Sequence, residues 1–303
     1  MAETGRTESH NPLSSGGVVL VVLAVLFIGV ALLQERIDER FGEYRATEEI
    51  LYVDNGEALK KVLLGFEGVA SDLYWLRTVQ YFGGQRLEAT NKRFELLGPL
   101  LDITTTLDPH LRIAYTYGAT FLAEELPRGA GEPDRALELI DKGIRNNPEY
   151  WRFYLDKGFV YFWYLKDYKK AAEVFLEGSK LPGAPYWMVA TAGRTLTQGG
   201  ERATARELWK LLYDSAETEQ QRYNALIHLQ QLDSLDQIEL LNQVVAQFRQ
   251  DRGHFPSDWQ EMVAAGYLKG VPADPVGVPY ELSPTSETVV VSRNSSLAAL
   301  PTR

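Results

Sequence analysis

Three alanines set a repeating period in the middle of this chain, and that period restricts the fold more than any other feature. Ala136, Ala171 and Ala205 are separated by 35 and 34 residues. Four positions after each alanine comes a large apolar residue, namely Ile140, Phe175 and Trp209. The preceding segments carry a glycine in step, at Gly118, Gly158 and Gly193. Small and large residues at such fixed intervals predict stacked pairs of helices, each of which needs its neighbours to bury a core.

Proline marks the ends of two of these units. Pro148 follows Ala136 by twelve residues and Pro182 follows Ala171 by eleven, while helical patterns alternate with short breaks over the surrounding chain. Residues 66–216 thereby resemble the tetratricopeptide repeat (TPR), a 34-residue helix-turn-helix with small residues where the helices touch, although the first-helix signature departs from it. The resemblance implies a TPR-like α-solenoid, which we assign to residues 66–233.

Ten aromatic residues lie among the nineteen positions from Tyr150 to Tyr168. In stacked helices most of these rings would fill the space between helices, where each buries about 150–250 Å². The alternative is a ligand groove, because one helix cannot hide ten rings on one side. The TPR resemblance implies which first-helix positions would line such a groove: Arg112, Tyr115, Arg152, Phe159, Phe162, Trp163, Trp187 and Arg194. Aromatic residues with arginines suit an extended peptide or a partner helix of acidic character.

An uncharged run of 18 residues, Gly16–Leu33, lies near the start of the chain. As a helix it would extend about 27 Å, close to the roughly 30 Å of a bilayer core. The polar tail 1–15 lacks the basic region of a signal peptide. We therefore predict a transmembrane helix over 16–34 in contact with the lipid bilayer, followed by a charged stalk over 35–65.

The last part of the chain has a different pattern. Ser234 and Gln237 have the spacing of a capping box, which predicts a helix that ends at Gly253. A short helix closed by Gly266 and a β-hairpin, with strands over 280–282 and 288–292, should follow. We assign this module to 234–293 and a flexible tail to 294–303.

This module resembles the head of the major pseudopilin of type II secretion and of related type IV pilin-like proteins. The matching residues are Gly253, Phe255, Pro256, Gly266, Tyr267, Leu268, Pro272, Asp274, Pro275, Gly277, Pro279 and Tyr280. About 200 residues separate this module from the apolar run, and no prepilin-peptidase site is evident, so the resemblance implies a borrowed fold and not a pilus subunit. It also implies a periplasmic body on the bacterial inner membrane, although Arg36, Arg40 and Arg45 after the apolar run favour a cytoplasmic one.

Composition excludes several functions. A net charge of −10 over 303 residues argues against nucleic-acid binding, which needs a basic surface. With no cysteine there is no disulfide or thiolate chemistry, and the four histidines are too scattered for a metal cluster. We find no phosphate-binding loop and no nucleophile elbow. The sequence therefore predicts no catalytic residue, no cofactor, no metal and no small-molecule substrate.

The sequence thus predicts a mainly α fold with an N-terminal transmembrane helix, a TPR-like solenoid and a small α+β pilin-like module. The function expected is that of a non-enzymatic, membrane-anchored scaffold that binds partner proteins at the bacterial envelope, in a secretion or pilus-like assembly. The alternative is a structural subunit of a large inner-membrane complex. A polar outer face with a lined groove would favour the scaffold, and a broad apolar outer face would favour the subunit.

Overall fold

Contacts within the chain divide it into two units, Met1–Asp54 and Asn55–Arg303. The structure is a computed structural model that describes residues 23–30, 32–33, 36, 55–87 and 94–298. The predicted tail 1–15, most of the stalk before residue 55 and the last five residues lie outside the described ranges. All helices and strands labelled below belong to the second unit.

The prediction of a transmembrane helix is wrong. Within the described part of the chain no helix is long and apolar enough to cross a membrane. Of the predicted span 16–34, the described residues are 23–30 and 32–33. A run without charge is only a candidate for a span, because its composition does not show that it forms a single helix of about 20 residues. The predicted single-pass location in the inner membrane is corrected with it.

The second unit is mainly helical, as predicted. Its described helices are α1 (Gly56–Val62), α2 (Glu67–Leu87), α3 (Leu97–Leu107), α4 (Arg112–Ala123), α5 (Pro133–Asn146), α6 (Trp151–Phe159), α7 (Tyr168–Ser179), α8 (Trp187–Gln198), α9 (Arg202–Asp214), α10 (Glu219–Arg252) and α11 (Trp259–Ala264). One π-helical stretch, Val160–Leu165, extends α6 to Lys166, whose φ of 55° ends it.

Helices α4 to α9 pack as three consecutive pairs, with α4, α6 and α8 as first helices and α5, α7 and α9 as second helices. In each pair a first-helix glycine meets a large second-helix side chain. A Cβ at Gly158 would lie 2.2 Å from the ring of Phe175, and one at Gly193 would lie 2.7 Å from the indole of Trp209. Glycine is needed at these sites because the rings occupy the space that a Cβ would take. Ala136, Ala171 and Ala205 are all fully buried.

Consecutive pairs are joined by side chains that reach back along the chain. Asn147, at the end of α5, donates through Nδ2 to the backbone oxygen of Pro109 at 2.9 Å. Gly143 on α5 lies against both Tyr115 of its own pair and Phe153 of the next. The buried apolar residues form two clusters, each of which draws side chains from more than one pair, and such sharing is how a pair too small to fold alone is stabilised.

The long helix α10 begins earlier than the sequence indicates. Its capping box is formed by Thr218 and Gln221, and the helix runs without a break to Gly253, whose φ of 80° ends it. Ser234, expected to start a helix, is buried in its middle. Arg206 of α9 holds α10 in place through ion pairs with Asp233 and Asp236. The repeats and the C-terminal module therefore share one helix.

The C-terminal module packs on the second half of α10. Strands β1 (Glu281–Ser283) and β2 (Thr288–Val290) form the predicted antiparallel hairpin, with Leu282 opposite Val289. Helix α11 is capped by the side chain of Asp258. The buried core of this module consists of Val245, Phe248, Trp259, Met262, Tyr280 and Val289. Part of the predicted tail is packed as well, since Leu297 is fully buried.

Candidate functional site: the first-helix surface

The two sets of helices expose different chemistry. Large apolar side chains are exposed on the first helices and at their ends: Ile113, Tyr117, Phe159, Trp163, Tyr186 and Trp187. The second helices expose mainly charged side chains, among them Arg135, Glu138, Arg145, Lys169, Glu173, Glu177, Glu207 and Lys210. Leu211 on α9 is the large apolar exception. A partner that covers the first helices therefore buries more apolar surface, and stabilises the complex more, than one that covers the second helices.

Four of the predicted groove residues lie around one cavity. This aromatic cavity, of about 350 Å³, is lined by Phe159, Phe162, Trp163 and Arg194, with Gln231 of α10 on its far side. The ring of Phe162 stands edge-on to Trp163, with ring centres 4.7 Å apart. Trp163 is 56% exposed, although a tryptophan in a soluble protein is usually mostly buried. The cavity offers aromatic walls and is large enough for any apolar side chain, tryptophan included.

Arg194 also borders a second cavity of about 510 Å³, which continues along α8 toward the start of α10. Trp187, another predicted residue, lines this second cavity together with Tyr186. Within the described part of the chain, the guanidinium of Arg194 donates one hydrogen bond, to Thr191 Oγ1 at 3.2 Å. A cation thus borders both pockets, and most of its donors have no partner among the described residues.

The other predicted residues divide between surface and core. Arg112 is exposed, and its guanidinium carbon lies 4.4 Å from the ring centre of Tyr150. Arg152 is exposed on α6. Tyr115 is fully buried instead; its hydroxyl contacts Thr105 O and Asn146 Nδ2, both at 3.4 Å. Burial also raises the pKa of this phenol. Tyr115 therefore supports the helices and does not face a partner.

Asp156, on the first helix α6, is a titratable group that sequence reasoning missed. Its carboxylate accepts a hydrogen bond from Thr116 Oγ1 of α4 at 2.8 Å. Burial raises its pKa from 3.8 to about 6, and Thr116 and Arg152 offset only part of that effect. The sequence signal was an acid four positions after Arg152 within a stretch of rings, a place where a carboxylate loses water.

Helix α10 contributes a histidine to the aromatic cavity. His228 stacks on Trp209, with ring centres 4.1 Å apart and planes 23° apart, and its Nδ1 lies 2.6 Å from Gln231 Oε1. Burial lowers the pKa of His228, so its neutral form is favoured beside the Arg194 cation. The buried Nε1 of Trp209 has no hydrogen-bond partner among the residues that the structure describes, and it faces Gly193.

The arrangement provides aromatic walls and cations. Among the described residues no three His, Asp or Glu side chains come together as a possible metal site. In the C-terminal module, Asp274 already accepts hydrogen bonds from Val276 N, Val278 N and Ser295 Oγ. Comparison of the chain with protein-family models, with curated proteins and with solved structures gives no match.

Proposed function

We propose that this chain is a non-enzymatic scaffold of TPR-like repeats that binds a segment of a partner protein across its first helices. The observation that supports this most is the contrast between the two helix sets. Exposed rings are concentrated on the first helices, where three exposed arginines accompany them, whereas the second helices expose mainly charged side chains typical of a solvated face. Exposed clusters of aromatic residues and arginine are typical of binding surfaces.

The chemistry of this surface suits a segment with large apolar side chains and carboxylates. Arg112, Arg152 and Arg194 form no ion pair with an acidic side chain among the described residues. An arginine beside aromatic walls binds a carboxylate more strongly than one in open water, because the walls exclude solvent. An apolar side chain in the aromatic cavity and a carboxylate at Arg194 would together position the segment.

The C-terminal module suggests where such partners belong. Its resemblance to pseudopilin heads is the reason to propose partners from a secretion or pilus-like assembly. The alternative, a structural subunit packed among others on all sides, would need apolar second helices, and their exposed side chains are mainly charged. The scaffold is therefore the function that we favour.

The experiment is selection from a random library of displayed 12-residue peptides on the full chain. We expect enriched peptides to combine an acidic residue with a large apolar one. Arg194→Ala and Trp163→Ala should each weaken their binding about tenfold or more, as for central contact residues. Lys210→Ala, on a second helix, is the matched control and should leave it unchanged. No enrichment, or peptides that bind the Arg194 and Trp163 variants as well as the parent, would rule the proposal out.

A further inference from the structure

Helix α2 has an inner side that is packed and an opposite, apolar side that no described part of the chain covers. Thr78 and Phe82 are buried on its inner side, and Ser71 donates to Thr104 O of α3 at 2.9 Å. On the outer side Phe66, Val69, Leu73 and Leu76 are 67%, 60%, 61% and 56% exposed. A surface helix normally keeps its second side polar. The exposed side of α2 therefore needs an explanation.

The spacing of the exposed residues indicates what kind of surface covers them. The steps from Phe66 to Val69, Leu73 and Leu76 are three, four and three residues, and the same alternation continues to Gln80 and Gly83. We call these six residues the α2 stripe. A period of 3.5 residues keeps a stripe facing one partner helix along its whole length. The occupant with the matching geometry is thus another helix that lies nearly parallel or antiparallel to α2.

We propose that the α2 stripe packs antiparallel against the α2 stripe of a second copy of this chain. With the two-fold axis between Leu73 and Leu76, Leu73 of one copy lies level with Leu76 of the other. Phe66 then lies opposite Gly83 of the second copy. An added Cβ at Gly83 meets nothing within 4 Å, so the glycine leaves room for the ring. A parallel pairing would place glycine opposite glycine and leave a gap, which costs stability.

Charge along α2 agrees with the antiparallel arrangement. The first half of the helix carries Glu67 and Asp72, its centre carries Arg77, and its second half carries Arg86, which also pairs with Glu124 of the same chain at 3.8 Å. In an antiparallel pair the acidic half of each copy lies along the basic half of the other, which is electrostatically complementary. The two helix dipoles also oppose each other in this arrangement. A two-fold interface of this type closes on itself and gives a dimer, not a filament.

The size of the stripe sets the expected strength of the dimer. Its apolar side chains, with Val79 and Leu87 beside them, can remove on the order of 500 Å² from water on each copy, at roughly 60–120 Å² per side chain. A standard stable interface buries about 800 Å² per partner. We therefore expect a reversible dimer that forms at micromolar concentrations. Binding of a partner by the first helices is a separate property, and either proposal can fail alone.

The first test is sedimentation equilibrium of the full chain from about 1 to 200 μM. We expect a mass that rises from 34.1 kDa toward twice that value. The double variant Leu73→Glu, Leu76→Glu should remain monomeric with an unchanged circular dichroism spectrum, since both side chains are exposed. Leu240→Glu, on the exposed side of α10, is the matched control and should dimerise normally. A monomer at every concentration, or a dimer that survives the double variant, would overturn the proposal.

The second test determines whether the two α2 helices run antiparallel or parallel, and the absence of native cysteine makes it specific. In the antiparallel register Val69 of one copy lies level with Gln80 of the other, whereas these positions lie about 16 Å apart within one helix. A mixture of Val69→Cys and Gln80→Cys chains should therefore form a disulfide-linked dimer under mild oxidation, and neither variant should do so alone. Cross-linking of Val69→Cys with itself would contradict the antiparallel register.

Discussion

Gly158 and Phe175 face each other across α6 and α7 so closely that no side chain fits at position 158. A Cβ there would lie 2.2 Å from Cε1 and 2.5 Å from Cδ1 of the ring, whereas ordinary carbon contacts are about 3.5–4.0 Å. Phe175 is itself fully buried, with Phe159 edge-on at 5.3 Å between ring centres. The ring has no empty space to move into, so the two residues determine how closely α6 and α7 approach.

We expect Gly158→Ala to lower the free energy of unfolding by about 1–3 kcal/mol, the usual cost of adding volume to a packed core. Chemical denaturation monitored by circular dichroism measures this. Gly68→Ala is the matched control, because a Cβ at Gly68 in α2 meets nothing within 4 Å; it should be neutral or stabilising by up to about 1 kcal/mol. Phe175→Leu combined with Gly158→Ala should recover part of the loss. A Gly158→Ala chain as stable as the parent would show that the helices do not pack in this register.

The repeat period could be predicted from sequence because its physical cause is local. Each glycine meets a side chain of the helix that follows it directly, so small and large residues recur at fixed intervals. Gly193 with Trp209 and Gly158 with Phe175 are two such pairs, and in each the two residues lie a short distance apart in the sequence. The resemblance to the tetratricopeptide repeat, and not the period itself, implies the groove positions Trp163 and Arg194; both are exposed, and their use by a partner stays a prediction.

Other features could not be predicted, because sequence patterns alone do not determine them. Ser234 and Gln237 have capping-box spacing, but the residues before them continue the helix, so the cap forms at Thr218. The repeat resemblance implied a groove position for Tyr115, but its side chain lies in the core, with its hydroxyl near the backbone oxygen of Thr105. Composition alone predicted a membrane span over 16–34, but the described part of the chain holds no helix that is long and apolar enough to cross a membrane.

Tyr280 connects the C-terminal module to α10, and removing its hydroxyl should weaken that connection. The hydroxyl donates to Gln237 Oε1 at 2.8 Å and lies 3.0 Å from the buried Ser234 Oγ. Tyr280→Phe leaves that serine without this partner, so we expect a loss of about 1–3 kcal/mol in the free energy of unfolding. Urea denaturation should detect it, with exposed Tyr223→Phe as control. If Tyr280→Phe and Ser234→Ala were additive in the double variant, the two hydroxyls would not interact.

Asp274 organises the loop after α11 and the end of the described chain. One oxygen accepts from the backbone nitrogens of Val276 and Val278 at 3.1 and 2.8 Å, and the other accepts from Ser295 Oγ. We expect Asp274→Ala to lower the free energy of unfolding by about 2–4 kcal/mol, because buried donors lose a charged acceptor. Exposed Asp214→Ala should have little effect in the same measurement.

The carboxylate of Asp274 also gives a prediction about calcium. Both of its oxygens already accept hydrogen bonds from the protein, and a calcium ion would have to displace them. We therefore expect the melting temperature to stay unchanged between millimolar calcium and an excess of chelator. A calcium-dependent rise that Asp274→Asn abolishes would contradict this assignment.

Asp156 makes the stability of the first helices depend on pH. Well below pH 3.8 its carboxyl is protonated in both the folded and the unfolded chain and costs nothing. Between about pH 3.8 and 6 the unfolded chain has lost most of this proton while the folded chain keeps it, because the ordinary pKa is 3.8 and the folded pKa is about 6. The contribution of this group to the free energy of unfolding therefore falls as pH rises through that window. Above pH 6 the loss is complete and constant.

Asp156→Asn removes the charge and keeps an oxygen that can accept from Thr116 Oγ1. We expect the variant to exceed the parent in free energy of unfolding by about 2–3 kcal/mol at pH 8, since one pKa unit corresponds to about 1.4 kcal/mol. The difference should shrink to near zero by pH 4. Denaturant titrations at pH 4, 5, 6 and 8 measure it, with the exposed Asp134→Asn of α5 as control. A stability difference between variant and parent that stays constant from pH 4 to 8 would mean that ionisation of Asp156 does not destabilise the fold. Asn would then stabilise the site through another contact.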